Sequence, residues 1–330
     1  MAARRRGKKK SGRSYAWRYR GRIVACVFVE VIIICALVIM IGWNKGVKEW
    51  FEQFEQPVLK EVDISGINSP NAILMQARGG KILGEINGEA QIYPASMTKI
   101  MTVILGIENF DDLDEKITLT NEMFSGLYEQ DATQAGFQPG EEVRVIDLLY
   151  GAMLPSGAEC CIALADTISG SEADFAELMN KKAGKLGMEN THFCDSTGLH
   201  NPDHYSTVKD IAVLMKYCIK NDTFREIVET SRHSTGVTNI HPDGITYYST
   251  MFKNLSDPTV TGGKILGGKT GYTSEAGHCL VSFAEIEGRE YIFVSAGASG
   301  ADGNTIPHIQ DAVTVYNRVG AAIEEKMNDN

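Results

Sequence analysis

Basic residues are scarce over most of this 330-residue chain. Ten of its 32 lysines and arginines lie within residues 1–22, where no acidic residue occurs. That leaves 22 basic against 42 acidic residues over residues 23–330, a net charge of about −20. A body with this charge repels nucleic acid over most of its surface, so a nucleic-acid partner is not expected. The chain also lacks internal repeats and, beyond the basic residues 1–22, low-complexity tracts.

Cysteine is sparse, and its spacing excludes a small disulfide-rich scaffold. Two of the seven cysteines, Cys26 and Cys35, fall in an apolar segment near the N-terminus. The other five are Cys160, Cys161, Cys194, Cys218 and Cys279. Most of these five lie in apolar runs, which is typical of small buried side chains, and the sequence leaves their oxidation state open. Apolar content of 43% with 22% charged residues indicates a folded globular protein.

Only one long hydrophobic run is present, from Ile23 to Gly42, and Glu30 alone interrupts it. Twenty helical residues span about 30 Å, the thickness of a bilayer's hydrocarbon core, and Trp43 suits the membrane interface. We therefore predict a transmembrane helix over residues 23–43. The basic tail 1–22 should stay cytoplasmic, which places the rest outside the cell membrane. A cleaved signal peptide is the alternative, disfavoured because no small-x-small cleavage site follows closely.

The remaining chain divides into a predicted polar or amphipathic stalk, residues 44–61, and one folded domain, residues 62–330. Strand patterns occur at both ends of this domain. The first pair, Ala72–Met75 and Ile82–Ile86, flanks a Gly-Gly turn and predicts a β-hairpin, and the later strands are predicted at Ile265–Gly271, Cys279–Ile286 and Tyr291–Gly297. One helical pattern starts near Ser96. Five further helical patterns cover Val143–Met153, Ala158–Ile168, Glu172–Leu186, Val208–Ile219 and His308–Met327. This order predicts an α+β fold: an antiparallel sheet formed from both ends of the domain and flanked by helices.

A serine and a lysine three residues apart, Ser96 and Lys99, stand at the head of one helical pattern. Residues i and i+3 lie on one helix face, so the lysine amine can reach the serine hydroxyl. A serine hydroxyl is a weak nucleophile that needs a neighbouring base, and a lysine kept neutral can act as that base. Alone, this spacing is a weak signal, because a capping serine followed by a surface lysine gives the same letters.

Two later features make the pattern specific. Residues 267–271 read Gly-Gly-Lys-Thr-Gly on a predicted strand, where glycine lets a substrate backbone approach closely. Ser156 lies at a tight corner between two predicted helices. The order Ser-x-x-Lys, Ser-x-Asn and Lys-Thr-Gly is typical of penicillin-binding proteins and class A β-lactamases.

On these motifs, the chain resembles the low-molecular-mass penicillin-binding proteins, the serine-type D-alanyl-D-alanine carboxypeptidases. The resemblance implies that Ser96 is the nucleophile of an acyl-enzyme, that Lys99 takes its proton and that Ser156 relays protons to the leaving amine. It assigns substrate binding to Lys269, Thr270, Gly271 and Tyr272, and it assigns the oxyanion hole to the backbone N–H groups of Ser96 and Tyr272. The implied substrate is the D-Ala-D-Ala end of a peptidoglycan stem peptide, in cell-wall biogenesis and cell shape, with β-lactams as inhibitors.

Two positions depart from the family pattern. Ala158 stands where the family has the asparagine of Ser-x-Asn, and residues 297–300 lack an arginine with which some carboxypeptidases grip the terminal carboxylate. Two alternatives therefore stay open: a non-catalytic or weakly catalytic penicillin or muropeptide sensor and, less favoured, a serine β-lactamase.

No metal or cofactor is implied. His200 and His204 are four residues apart, as metal ligands on a helix can be, but Pro202 between them favours a loop.

Overall fold

The computed structural model describes residues 59–255, 257–300 and 306–329. The predicted tail, transmembrane helix and most of the stalk lie outside these residues. Within the described ranges, no helix is both long and apolar enough to cross a membrane.

The described residues contain ten strands and eight α-helices. The strands are β1 (Asn71–Gln76), β2 (Ile82–Ile86), β3 (Lys116–Thr118), β4 (Glu142–Arg144), β5 (Arg232–Ser234), β6 (Thr246–Tyr248), β7 (Thr259–Val260), β8 (Gly263–Thr273), β9 (Gly277–Ile286) and β10 (Arg289–Ala298). The helices are α1 (Lys99–Asn109), α2 (Val145–Met153), α3 (Ala158–Ser169), α4 (Glu172–Leu186), α5 (Val208–Cys218), α6 (Asp222–Glu229), α7 (Thr250–Asn254) and α8 (Pro307–Asn328).

The predicted sheet from both ends of the domain is confirmed. Six strands form one antiparallel sheet in the order β2–β1–β10–β9–β8–β7. The N-terminal hairpin joins the C-terminal strands where β1 pairs with β10, with Asn71 opposite Ala296. Two further two-stranded sheets, β3–β4 and β5–β6, lie outside it.

Both faces of the large sheet are buried, and successive side chains of each strand point to opposite faces. On β1, Ile73 and Met75 join a core shared with helices α1 to α6, whereas Ala72 and Leu74 join a second core shared with α8. The domain is therefore layered, with a block of helices on one face of the sheet and α8 on the other.

Several predicted boundaries need correction. Ser96 lies in a 3-10 turn, Ala95–Thr98, and the α-helix begins only at Lys99. Val143 belongs to β4, where it pairs with Ile117, so the helix predicted from it begins at Val145. Helices α6 and α7 and strands β3 to β7 were not predicted, because segments this short show too few turns or alternations for a period to emerge.

Candidate active site

Ser96 and Lys99 lie at the junction between the sheet and the helical block. Ser96 is half-buried in the 3-10 turn, and Lys99, 3% exposed, opens α1. The Lys99 amine is 3.1 Å from the Ser96 hydroxyl oxygen and donates a 2.6 Å hydrogen bond to the backbone carbonyl of Thr197. Burial lowers the pKa of Lys99, and nearby acidic groups such as Asp195 oppose that shift only in part. The amine is thus held near the hydroxyl in an environment that favours its neutral, proton-accepting form.

Ser156 occupies the corner between α2 and α3, where its φ of 73° is unusual for a residue other than glycine. The Lys269 amine on β8 donates to the Ser156 hydroxyl over 3.0 Å and to the Thr270 carbonyl over 2.8 Å. Lys269 is 1% exposed. Burial, followed by the charge of Lys99, lowers the pKa of Lys269 well below its usual range. The two buried amines therefore disfavour each other's protonation, and a bound anion would stabilise a positive charge on either of them.

Strand β8 runs beside the 3-10 turn because Gly271 has no side chain. A Cβ there would lie 3.1 Å from both the Ser96 amide nitrogen and the Pro94 carbonyl oxygen. Such contacts are tighter than backbone atoms tolerate without moving, so glycine sets the spacing between strand and turn. On the same strand, the Thr270 hydroxyl is 2.7 Å from that of Thr250, and Tyr272 is 60% exposed at the far end.

Two buried residues, Ala158 and Glu159, follow the Ser156 corner at the start of α3. Ala158 is buried, and its N–H donates to the Thr133 carbonyl over 2.8 Å. Glu159 is fully buried, and one carboxyl oxygen accepts from the backbone N–H groups of Ala135 (2.6 Å) and Gly136 (3.0 Å). Burial raises the pKa of Glu159. Glu159 therefore anchors a loop behind the serine corner, and nothing in these contacts makes it a replacement for the missing asparagine.

The pair His200 and His204 does not form a metal site. The His200 ring packs edge-on against Tyr93 with centroids 4.8 Å apart, whereas His204 is buried with its Nε2 atom 2.9 Å from the Thr98 hydroxyl. No group of three or more histidine, cysteine or acidic side chains among the described residues is arranged to hold a metal ion. The five described cysteines are unpaired, and all except Cys194 are buried.

Sequence reasoning assigned no role to Asp195 or to the Thr197 carbonyl, which lie in the loop just before Leu199. Asp195 accepts hydrogen bonds from the Thr197 amide, the Thr197 hydroxyl and the Gly198 amide, each 2.7 Å long. Burial alone would raise the pKa of Asp195, but hydrogen bonds from His204 and Thr197 outweigh it and lower that pKa to about 2. An aspartate two residues before a threonine and three before a glycine is a turn signal, and it was the only one available.

Comparison with known proteins identifies the class that this fold and site define. Residues 58–300 match the D-alanyl-D-alanine carboxypeptidase family, so the chain belongs to that family. It is 35% identical over 231 residues to the D-alanyl-D-alanine carboxypeptidase DacF of Bacillus subtilis, and the aligned region covers 69% of this chain and 57% of the relative. It is 33% identical over 262 residues to the D-alanyl-D-alanine carboxypeptidase DacC of Escherichia coli, covering 72% of this chain and 58% of the relative. The chain thus spans under three fifths of these two curated relatives.

Solved structures agree. A mutant of the Streptomyces K15 DD-transpeptidase superposes with a TM-score of 0.70 at 30% identity, covering 78% of this chain and 98% of the other. A D-alanyl-D-alanine carboxypeptidase from Mycobacterium tuberculosis superposes with a TM-score of 0.69 at 22% identity, covering 81% and 96%, which shows the shared fold.

Proposed function

We propose that the chain is a serine-type D-alanyl-D-alanine carboxypeptidase that removes the terminal D-Ala of peptidoglycan stem peptides through an acyl-enzyme on Ser96. The observation that carries the proposal is the 3.1 Å contact between the Ser96 hydroxyl and the buried Lys99 amine, in a chain that belongs to this family. A serine hydroxyl beside a lysine whose pKa is lowered is an activated nucleophile.

In the proposed acylation step, Lys99 accepts the hydroxyl proton while the Ser96 oxygen bonds to the carbonyl carbon of the penultimate D-Ala. The C–N bond then breaks, and the terminal D-Ala leaves as the amine after receiving a proton by way of Ser156. Backbone N–H groups of Ser96 and Tyr272 stabilise the oxyanion. Water next attacks the ester, which releases the shortened peptide and restores the serine.

Substrate charge contributes to this cycle. The terminal carboxylate of a D-Ala-D-Ala peptide binds at Lys269 and Thr270 in the proposal, and its negative charge raises the pKa of Lys269. A protonated Lys269 in turn disfavours protonation of Lys99, since each amine lowers the affinity of the other for a proton. Binding of the correct substrate thereby sets the protonation states that acylation needs.

The same proposal includes a location. The predicted helix 23–43 would hold the protein in the cell membrane as a single-pass protein, with residues 1–22 in the cytoplasm and the domain on the outer side, where peptidoglycan stem peptides are found. The hydrophobic length of this segment and the basic residues before it support the proposal.

The test is release of D-Ala from a peptide that ends in D-Ala-D-Ala, measured beside the lifetime of the penicillin adduct. We expect one D-Ala per peptide cleaved and a long-lived adduct, with no release from a matched peptide ending in D-Ala-L-Ala. Rapid loss of the adduct would instead indicate a β-lactamase.

A sensor remains the second candidate, because Ala158 supplies no amide at the position of the family's asparagine. A stable adduct with no D-Ala release would favour it. A third possible outcome, transpeptidation, follows from the similarity to the Streptomyces K15 DD-transpeptidase. An added amine acceptor such as glycylglycine would then appear joined to the peptide in place of the released D-Ala.

A further inference from the structure

The Lys99 amine has two hydrogen-bonding partners, and the shorter contact is not the one to the nucleophile. The bond to the Thr197 carbonyl is 2.6 Å long, against 3.1 Å to the Ser96 hydroxyl. A neutral amine that donates one N–H to Thr197 has its lone pair directed elsewhere, and only a lone pair aimed at Ser96 can accept the hydroxyl proton. The position of the Thr197 carbonyl therefore decides the orientation of the base.

The carbonyl is held from one side by Asp195. A single carboxylate oxygen, Oδ1, accepts three hydrogen bonds from Thr197 and Gly198. These bonds fix the two peptide groups on either side of the Thr197 Cα, and the second of them contains the Thr197 carbonyl. The loop has no room to shift towards the catalytic turn, because a Cβ on Gly198 would lie only 1.9 Å from the Ala95 carbonyl oxygen. Asp195 thus stabilises a turn that lies in close contact with Ala95, the residue before Ser96.

The other carboxylate oxygen of Asp195 connects this loop to the helix that carries Lys99. It lies 3.1 Å from Nδ1 of His204, and Nε2 of the same ring lies 2.9 Å from the hydroxyl of Thr98, the residue before Lys99. Because a carboxylate only accepts, the contact with Asp195 forms in the tautomer whose Nδ1 is protonated and donates a hydrogen bond, whereas in the other tautomer Nδ1 accepts from the Cys194 N–H, 3.3 Å away. His204 is 2% exposed, and the Phe193 ring packs edge-on against it with centroids 5.5 Å apart.

These contacts close a ring of polar groups: Thr98, His204, Asp195, Thr197 and Lys99. We propose that Asp195 and His204 are positioning residues, which fix the Thr197 carbonyl relative to the catalytic helix and thereby aim the Lys99 amine at Ser96. The inference rests on the proposed function, since it assigns Lys99 as the base. Neither side chain contacts the Ser96 hydroxyl, so both act through the backbone loop.

The experiment measures penicillin acylation of the full-length chain in mild detergent, with the rate constant at saturating penicillin and the labelled fraction recorded separately. Thr98→Val and His204→Asn each break the contact between Thr98 and His204, the first while keeping the shape of the side chain. We expect each to lower the rate constant by about tenfold, and Asp195→Ala to lower it by about a hundredfold, because a misplaced base costs that much. The penicillin dissociation constant should change by less than about twofold.

Two comparisons make the test specific. The double variant Thr98→Val/His204→Asn should lose little more than His204→Asn alone, since His204→Asn already removes the link that Thr98→Val breaks. His192→Asn is the matched control, because His192 is an exposed histidine at the start of the same loop, bonded to the Asp203 carbonyl. It should acylate like the unmodified chain. A variant that is only partly folded would lower the labelled fraction but leave the rate constant of the labelled molecules unchanged.

Rate constants within about twofold of the unmodified chain for Thr98→Val, His204→Asn and Asp195→Ala would overturn the positioning role. The same holds if only the labelled fraction falls. Failure of the proposed function gives a different pattern: the unmodified chain is acylated but releases no D-Ala, while the effects on acylation persist. No acylation of the unmodified chain would overturn both proposals.

Discussion

At the scale of single residues, Ser156 combines an unfavourable backbone with a useful side chain. Its φ of 73° lies in the left-handed region, where a residue with a Cβ is strained and glycine is not. The strain places the hydroxyl 3.0 Å from the Lys269 amine. Strained backbone of this kind occurs at functional sites, which fits the role proposed for the Ser156 hydroxyl.

This conflict predicts that two substitutions of Ser156 with similar effects on activity differ in stability. Ser156→Gly should be more stable than Ser156→Ala by about 1 kcal/mol, because glycine removes the strain that alanine keeps. Both variants should lose acylation to a similar extent, since both lack the hydroxyl. Urea unfolding of the two variants beside their acylation rates checks the prediction. An alanine variant as stable as the glycine variant would contradict it.

The buried Lys99 amine predicts the pH dependence of acylation. Burial lowers the pKa of Lys99, and only the neutral amine accepts the Ser96 proton. The acylation rate should therefore rise with pH, with its midpoint below the ordinary lysine value of about 10.4. Stopped-flow acylation by penicillin from about pH 5 to pH 10 measures this limb. A rate that falls with pH over the same range would exclude the neutral lysine as base.

At the scale of elements, the distance between β8 and the 3-10 turn is set by one glycine. A Cβ on Gly271 would contact backbone atoms of Pro94 and Ser96 at 3.1 Å, and backbone cannot rotate away as a side chain can. The strand and the turn would have to separate, which moves Lys269 and Thr270 relative to the nucleophile.

We therefore predict that Gly271→Ala lowers acylation by about tenfold to a hundredfold, since a misplacement of about 1 Å at reacting groups can cost about a hundredfold. Gly184→Ala is the matched control, because nothing lies within 4 Å of a Cβ at that position inside α4. The control should acylate normally and gain up to about 1 kcal/mol of stability. Equal acylation by both variants would show that the spacing is unimportant.

Local sequence signals predicted elements well where they were long and capped. Helix α4 has the predicted bounds, Glu172–Leu186, because Ser171 caps its first turn and Gly187 ends it with a φ of 79°. Helix α6 is as clearly capped, by Asn221, but it has eight residues and was not predicted. A cap without a sustained apolar period is too weak a signal on its own.

The residues of the candidate site also differ in how well the sequence predicts them. Ser96, Lys99 and Lys269 belong to sequence motifs and could be named without a structure. The link from Thr98 through His204 to Asp195 could not, since it joins residues 106 positions apart and depends on how the loop folds onto the helix. The hydrogen-bonded support of a site arises from tertiary packing, which spacing along the chain does not reveal.

At the scale of the whole molecule, the charge of the chain separates into a basic head and an acidic body. Membrane attachment through these basic residues and attachment through a spanning helix respond differently to salt. Electrostatic attachment through basic residues is released by salt, whereas a spanning helix is released only when the bilayer is dissolved. We predict that the full-length chain stays with the membrane fraction in about 1 M salt and is extracted by detergent. Release by salt alone would contradict the transmembrane prediction for residues 23–43.

We propose above that the Ser96 hydroxyl, activated by Lys99 and lying next to the strand that carries Lys269, is the nucleophile of this molecule. The most direct measurement is intact-mass analysis of the full-length chain after incubation with penicillin, followed by peptide mapping of the adduct. We predict one penicillin per chain, bound to the peptide that contains Ser96, and no adduct on the Ser96→Ala variant. An adduct on another residue, or an equal adduct on the Ser96→Ala variant, would contradict it.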